Sequence, residues 1–172
     1  MQKKFSYPLT VDAISVAEKE YKLKANDEQC QEISEILKVP AVKEFNACVH
    51  TRRHNKSSLI DVWGHVEALI TRKSVISLEF FDKKYSSDFD IQFDINLTEN
   101  QVRIMEEEGV DNIPDVVMGG EIDLAHLSME QIALELDDYP RQEGEEFSFK
   151  SEFDEETDER ENPFKILEKL KK

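Results

Sequence analysis

The basic residues between positions 43 and 84 fall in three short groups: Arg52, Arg53, His54 and Lys56; then Arg72 and Lys73; then Lys83 and Lys84. Each group lies in a polar break between apolar runs and reads as a turn. Guanidinium and ammonium groups at turn tips hold phosphate oxygens by charge, so a phosphate-rich partner is the chemistry they suggest. In a simple meander the first and third turns share one end of the sheet, which would gather Arg52, Arg53, Lys56, Lys83 and Lys84 into one candidate RNA-binding patch. Turns also collect charge merely because they are solvated, and that is the commoner reason for such a distribution. Trp63 alternates with Val62 and Gly64, beside His65 and Glu67 on its own face, where an indole could stack on a base. Packing under a helix is its more usual role. His54 and His65 have no carboxylate partner at a spacing that argues for catalysis.

Carboxylates perform acid-base chemistry or hold Mg²⁺, but 38 Asp and Glu in 172 residues make almost any two-carboxylate spacing a chance event. Asp88 with Asp90, and Asp137 with Asp138, therefore single out nothing. The chain has five glycines and no phosphate-cradling loop, nucleophile elbow or His-Glu-x-x-His motif. Its two cysteines, Cys30 and Cys48, lack the close spacing of a metal site or disulfide framework. The expectation is a non-enzyme with no catalytic residues, cofactor, metal site or small-molecule substrate. A metal-dependent hydrolase acting on RNA is the least favoured alternative.

The formal charge of −16 excludes a nucleic-acid binder that is basic all over. The charge is regional: residues 85–161 carry a net −21, and the last eleven residues a net +3. No apolar run approaches the ~20 residues of a membrane span, and the N-terminus lacks the apolar core of a signal peptide, so a soluble, cytoplasmic chain with no membrane partner is expected. Residues 1–140 should form one domain and residues 141–161 an acidic disordered linker, too poor in aliphatic residues to offset its ordering entropy. Residues 162–172 read as a short amphipathic helix, with Pro163 in its first turn and Phe164, Leu167 and Leu170 as a candidate protein-docking face. The acidic stretch could shield or compete for a basic protein surface while the helix docks in a groove; a solubilising tail that ends in Lys is the equal alternative.

The elements that must position these groups are read from periodicity. Phe5, Tyr7 and Leu9 alternate as a short strand, and Asp12 could cap a helix over 13–24. Asn26 or Asp27 caps a second helix carrying Cys30, Ile33, Ile36 and Leu37, which stops before Val39-Pro40. The period then becomes two. Phe45, Ala47 and Val49 alternate, as do Ile60, Val62, Gly64, Val66, Ala68 and Ile70; Val75 to Phe81 reads as a short strand; and Phe89, Ile91, Phe93, Ile95 and Leu97 alternate with acidic neighbours. Residues 98–120 read as a polar excursion without a trusted motif, and Ser128 with Gln131 has capping-box spacing for a helix ending near Asp137-Asp138. The fold expected is α+β: an antiparallel sheet of about four or more strands, covered by N- and C-terminal helices.

Taken in order, Phe5-Ser-Tyr-Pro-Leu9, Val62-Trp-Gly-His-Val66, Ser74-Val-Ile-Ser-Leu-Glu79, Gly120-Glu-Ile-Asp-Leu124, Tyr139-Pro-Arg141 with Gly144, and Asn162-Pro-Phe164 with Leu167 to Lys171 resemble the YceD family, in its alphaproteobacterial form. That family comprises the bacterial large ribosomal RNA subunit accumulation proteins. Many relatives carry a cysteine where this chain has Ser74, and some have a close cysteine pair there, so the metal or redox reading of that pair does not transfer. The resemblance implies a part in accumulation of large-subunit (23S) ribosomal RNA and assembly of the large ribosomal subunit. Ribosomal RNA or the pre-ribosomal large subunit, with basic ribosomal proteins, would be the partners. It supplies no enzyme activity and no binding residues. An acidic adaptor or chaperone for a basic ribosomal protein, without RNA contact, is the rival reading.

Overall fold

Alternation of Val42, Phe45, Ala47, Val49 and Thr51 with polar neighbours makes β3 (Ala41–Arg53), and the same period makes β4 (Leu59–Lys73). The two pair antiparallel from Ala41↔Thr71 to Arg53↔Ile60, interrupted by one bulge between Val42 and Glu44. A computed structural model describes residues 5–146 of the chain. In it β5 (Phe80–Asp94) pairs antiparallel along the whole of β4, and β2 (Lys19–Lys24) pairs antiparallel with β3. A two-residue β6 (Asp115–Val116) joins β5 in parallel at Phe93 and Asp94. The sheet order is β2-β3-β4-β5-β6, so the sheet is mixed where an antiparallel one was expected. The polar stretch after β5 supplies the parallel strand by folding back through α2 (Glu99–Glu107). A separate antiparallel pair joins β1 (Pro8–Thr10) to β7 (Glu121–Asp123).

The inner face of the sheet is apolar: Val49, Ile60, Val62, Val66 and Ile70 are fully buried there, with Tyr85, Phe89 and Phe93 on β5. Against it lie α1 (Asp27–Leu37), over β3, and α3 (Leu124–Glu135), over β4 and β5. The start of α1 is as the sequence indicates: the Asn26 side chain accepts from the Gln29 amide at 2.9 Å, and Gln29 Oε1 accepts from the Asn26 amide at 3.0 Å. The helix closes at Lys38, in the left-handed region.

Four other expectations are corrected. The helix over 13–24 is a single 3₁₀ turn, Val11–Ala13, followed by β2, because inward Tyr21 and Leu23 alternate with outward Glu20, Lys22 and Lys24 once β3 lies beside them. The segment from Val75 to Phe81 is not a strand. The Ser74 hydroxyl accepts from the amides of Ile76 (3.0 Å) and Ser77 (3.3 Å), Leu78 takes a positive φ, and β5 begins only at Phe80. Asp82 to Lys84 is accordingly the interior of β5 and not a turn. Finally, α3 begins four residues before Ser128: Asp123 is its cap, accepting from the amides of Ala125 (3.0 Å) and His126 (3.1 Å), while buried Ser128 donates to the Leu124 carbonyl.

The described residues up to Gln142 form one compact unit. Beyond residue 146, the expected acidic linker and the docking face of Phe164, Leu167 and Leu170 lie outside the described residues.

Candidate functional site

The outer face of the sheet carries the polar chemistry. With β-strand side chains alternating between faces, Glu20, His50, Trp63 and Asp90 form one cross-strand row; Lys22, Cys48, His65 and Asp88 form the next. Among the described residues, Trp63 therefore lies on the face opposite the one that α1 and α3 cover. Its indole is stacked on His50, with ring centroids 5.5 Å apart and planes 13° apart, and the Arg52 guanidinium sits 5.6 Å from its centroid.

The β3–β4 hairpin ends beside this row. Asp61, mostly buried, accepts from Arg52 Nη2 (3.1 Å), His54 Nε2 (2.8 Å) and Gln92 Nε2 (3.0 Å). Burial pushes its carboxyl upward, but those donors outweigh burial and hold it below the usual carboxylate range. An open groove of about 600 Å³ runs past the hairpin, lined by Ile14, Val16, Arg53, His54, Lys56 and Asn96. Among the described residues neither Arg53 nor Lys56 has an acidic side chain within ion-pair distance.

The single patch of five cations is not formed. Ile60, opposite Arg53, and Leu69, opposite Lys84, are separated by nine residues of β4, about 30 Å at strand rise. Lys83 and Lys84 also point to opposite faces and are both engaged: Lys83 Nζ lies 2.6 Å from Asp137, and Lys84 Nζ 2.6 Å from Glu67. The hairpin thus keeps Arg53 and Lys56 on one groove, sets Arg52 on the outer face over Trp63, and leaves the two lysines far off.

One member of each acid pair is likewise occupied. Asp137 accepts from Lys83 and from the Tyr85 hydroxyl (2.9 Å), and Lys83 in particular holds its carboxyl below the usual range despite partial burial. Asp88 accepts from His65 Nδ1 at 2.8 Å. His54 and His65 do have carboxylate partners, contrary to the linear reading, because Asp61 and Asp88 arrive through strand register.

Among the described residues one cluster could hold a metal ion: Glu20, Cys48 and His50 offer a carboxylate oxygen, a sulfur and an imidazole nitrogen, all within 4.8 Å of one another. Linear spacing hid it, although Cys48-x-His50 on a strand does place both side chains on one face.

A family model described as "Large ribosomal RNA subunit accumulation protein YceD" matches residues 62–171, more than half of the chain. This chain belongs to the YceD family. No curated protein and no solved structure matches it. The YceD match begins in β4, so it includes Trp63, Asp61's donor Gln92, and the Ser74 turn, while β2 and β3 precede it.

Proposed function

We propose that this protein is a non-enzymatic bacterial factor supporting accumulation of large-subunit (23S) ribosomal RNA and assembly of the large ribosomal subunit. The observation that carries this reading is the YceD match over residues 62–171. Its contact with ribosomal RNA, or with the pre-ribosomal large subunit, is made by the β3–β4 hairpin. There Arg53 and Lys56 flank an open groove, and Arg52 stands over Trp63. A local cationic tip on an otherwise acidic molecule binds phosphates weakly and only where it fits, which suits transient action on an assembling particle. The setting is the cytoplasm; no helix among the described residues is long and apolar enough to cross a membrane.

The test is the double variant Arg53→Glu with Lys56→Glu in place of the chromosomal copy. Ribosomal RNA should no longer co-purify, and the 23S level should fall relative to the small-subunit RNA. Losing two phosphate contacts should flatten the salt dependence of RNA binding by about 1.4 to 1.8 in log K per log salt. Undiminished RNA recovery with a folded double variant rejects the hairpin contact.

A second reading is favoured by the acidity: residues 85–161 carry a net −21, and β5 sets Asp82, Asp88, Asp90 and Asp94 along its outer face. On it the protein is an adaptor or chaperone for a basic ribosomal protein. Recovery of such a protein that survives nuclease treatment and is lost on deleting residues 143–172 favours the adaptor.

A further inference from the structure

We propose that Glu20, Cys48 and His50 form a site for one divalent metal ion of borderline softness, best matched by Zn²⁺. Thiolate, imidazole and carboxylate are the three donor types that Zn²⁺ accepts, and a single thiolate with one nitrogen and one oxygen disfavours both Mg²⁺ and Cu⁺. Two strands build the site. Cys48 and His50 are two residues apart on the outer face of β3, and Glu20 on β2 is the register partner of His50.

The separations suit a tetrahedral ion. Zn–S and Zn–N bonds of about 2.3 and 2.05 Å place sulfur and nitrogen about 3.6 Å apart, and Cys48 Sγ lies 3.7 Å from His50 Nε2. Nitrogen and oxygen on one such ion lie about 3.4 Å apart. His50 Nε2 is 4.0 Å from Glu20 Oε2, a difference that rotation of the half-exposed glutamate closes.

A neighbouring carboxylate orients the imidazole. Glu18 Oε1 lies 2.9 Å from His50 Nδ1, which places the ring proton on Nδ1 and turns the Nε2 lone pair toward Cys48 and Glu20. Stacking on Trp63 fixes the ring plane. The competing cation is Lys22, whose Nζ is 2.9 Å from the other oxygen of Glu20; with a side chain 79% exposed it can swing into solvent when a metal arrives. His65, opposite Cys48 in the register, is engaged by Asp88. Three protein ligands leave a fourth position for water or an outside donor. All three precede residue 62, where the family match begins, and the site is about 30 Å along β4 from Ser74.

Chelator-treated, reduced full-length chain titrated with Co²⁺ should take up one ion with a thiolate-to-cobalt charge-transfer band, which Zn²⁺ then displaces. Cys48→Ser should abolish the band, and His50→Gln and Glu20→Gln should each weaken Zn²⁺ binding in a chromophoric-chelator competition. Glu18→Gln should weaken it about 10–100-fold. Cys30→Ser, at a buried thiol of α1, should change nothing. Far-UV circular dichroism checks each fold. Should Cys48→Ser not fold, the two solvent-face variants decide the matter. Absence of a band with no Zn²⁺ uptake at micromolar metal overturns the site. So does loss of the band in Cys30→Ser, or uptake indifferent to His50→Gln and Glu20→Gln, which would place the ion elsewhere.

Discussion

Replacing Gly64 by alanine puts a methyl group where backbone already lies. Gly64 pairs with Val49 at the centre of the β3–β4 ladder. A Cβ at this position would meet the Cys48 carbonyl oxygen at 2.2 Å, the Val49 Cα at 3.0 Å and the Cys48 carbonyl carbon at 3.1 Å. Ordinary contact begins near 3.4 Å, so the strands must part by about 1 Å, and no side-chain rotation can absorb the difference. Overpacking costs about 1–3 kcal/mol where side chains can yield. With main chain as the obstacle and adjoining ladder bonds of about 1 kcal/mol each loosened, the expected loss is about 3–4 kcal/mol. At about 2–4 °C per kcal/mol for a domain of this size, Tm should fall by about 6–16 °C in a calorimetric or circular-dichroism melt. Gly119→Ala is the comparator: its Cβ would touch nothing within 4 Å, and only its φ of +62° opposes the change. That strain alone costs about 1–2 kcal/mol. A Gly64→Ala Tm within about 2 °C of the parent, or a loss no larger than that of Gly119→Ala, would refute the steric argument.

Other outcomes follow from the same contacts. Ser128→Ala removes a bond to a carbonyl that the helix already uses, so it should cost under about 1 kcal/mol by urea unfolding, whereas Asp123→Ala, at the true cap of α3, should cost about 2 kcal/mol or more. Burial raises the Asp123 carboxyl, but bonds from the Ser6 hydroxyl and the Tyr7, His126 and Ala125 amides outweigh it and hold the group below 3.8. Its contribution is therefore complete above pH 3.8 and lost as pH falls through the lower folded value, so Tm plotted against pH should drop less steeply there in Asp123→Asn. Burial, with the bond to Asp137, pushes the Tyr85 hydroxyl up to about 12; an ultraviolet titration should show one tyrosine ionising late, absent in Tyr85→Phe.

What the sequence disclosed was local. The cap of α1 lies within Asn26 to Gln29, and the alternations of β3 and β4 run long enough to identify themselves. The strand β2 was hidden because only Tyr21 and Leu23 point inward, in a stretch of good helix formers that pairing with β3 overrides. Lys83 and Lys84 read as a turn because two adjacent charges break the apolar alternation; in the strand Lys84 faces solvent beside Glu67, while Lys83, on the other face, meets Asp137. The start of α2 carried a readable sign, Thr98 three residues before Gln101, whose Oε1 accepts from the Thr98 amide and hydroxyl. The outer-face cluster was half readable: Cys48 and His50 share a face in any strand, but Glu18 and Glu20 come from some thirty residues away and meet them only through the register.

Among the described residues, β5 is hydrogen-bonded on its side away from β4 only at Phe93 and Asp94. Most of its outer backbone border is thus a template on which a second chain could add a strand, and a border of this length invites sheet-to-sheet aggregation. Asp82, Lys83, Lys84, Asp88 and Asp90 fall along that stretch, where an arriving strand would have to desolvate them or confront their charge. The same acids that give the molecule its negative character therefore also act as gatekeepers, keeping a long, half-open sheet from growing between molecules.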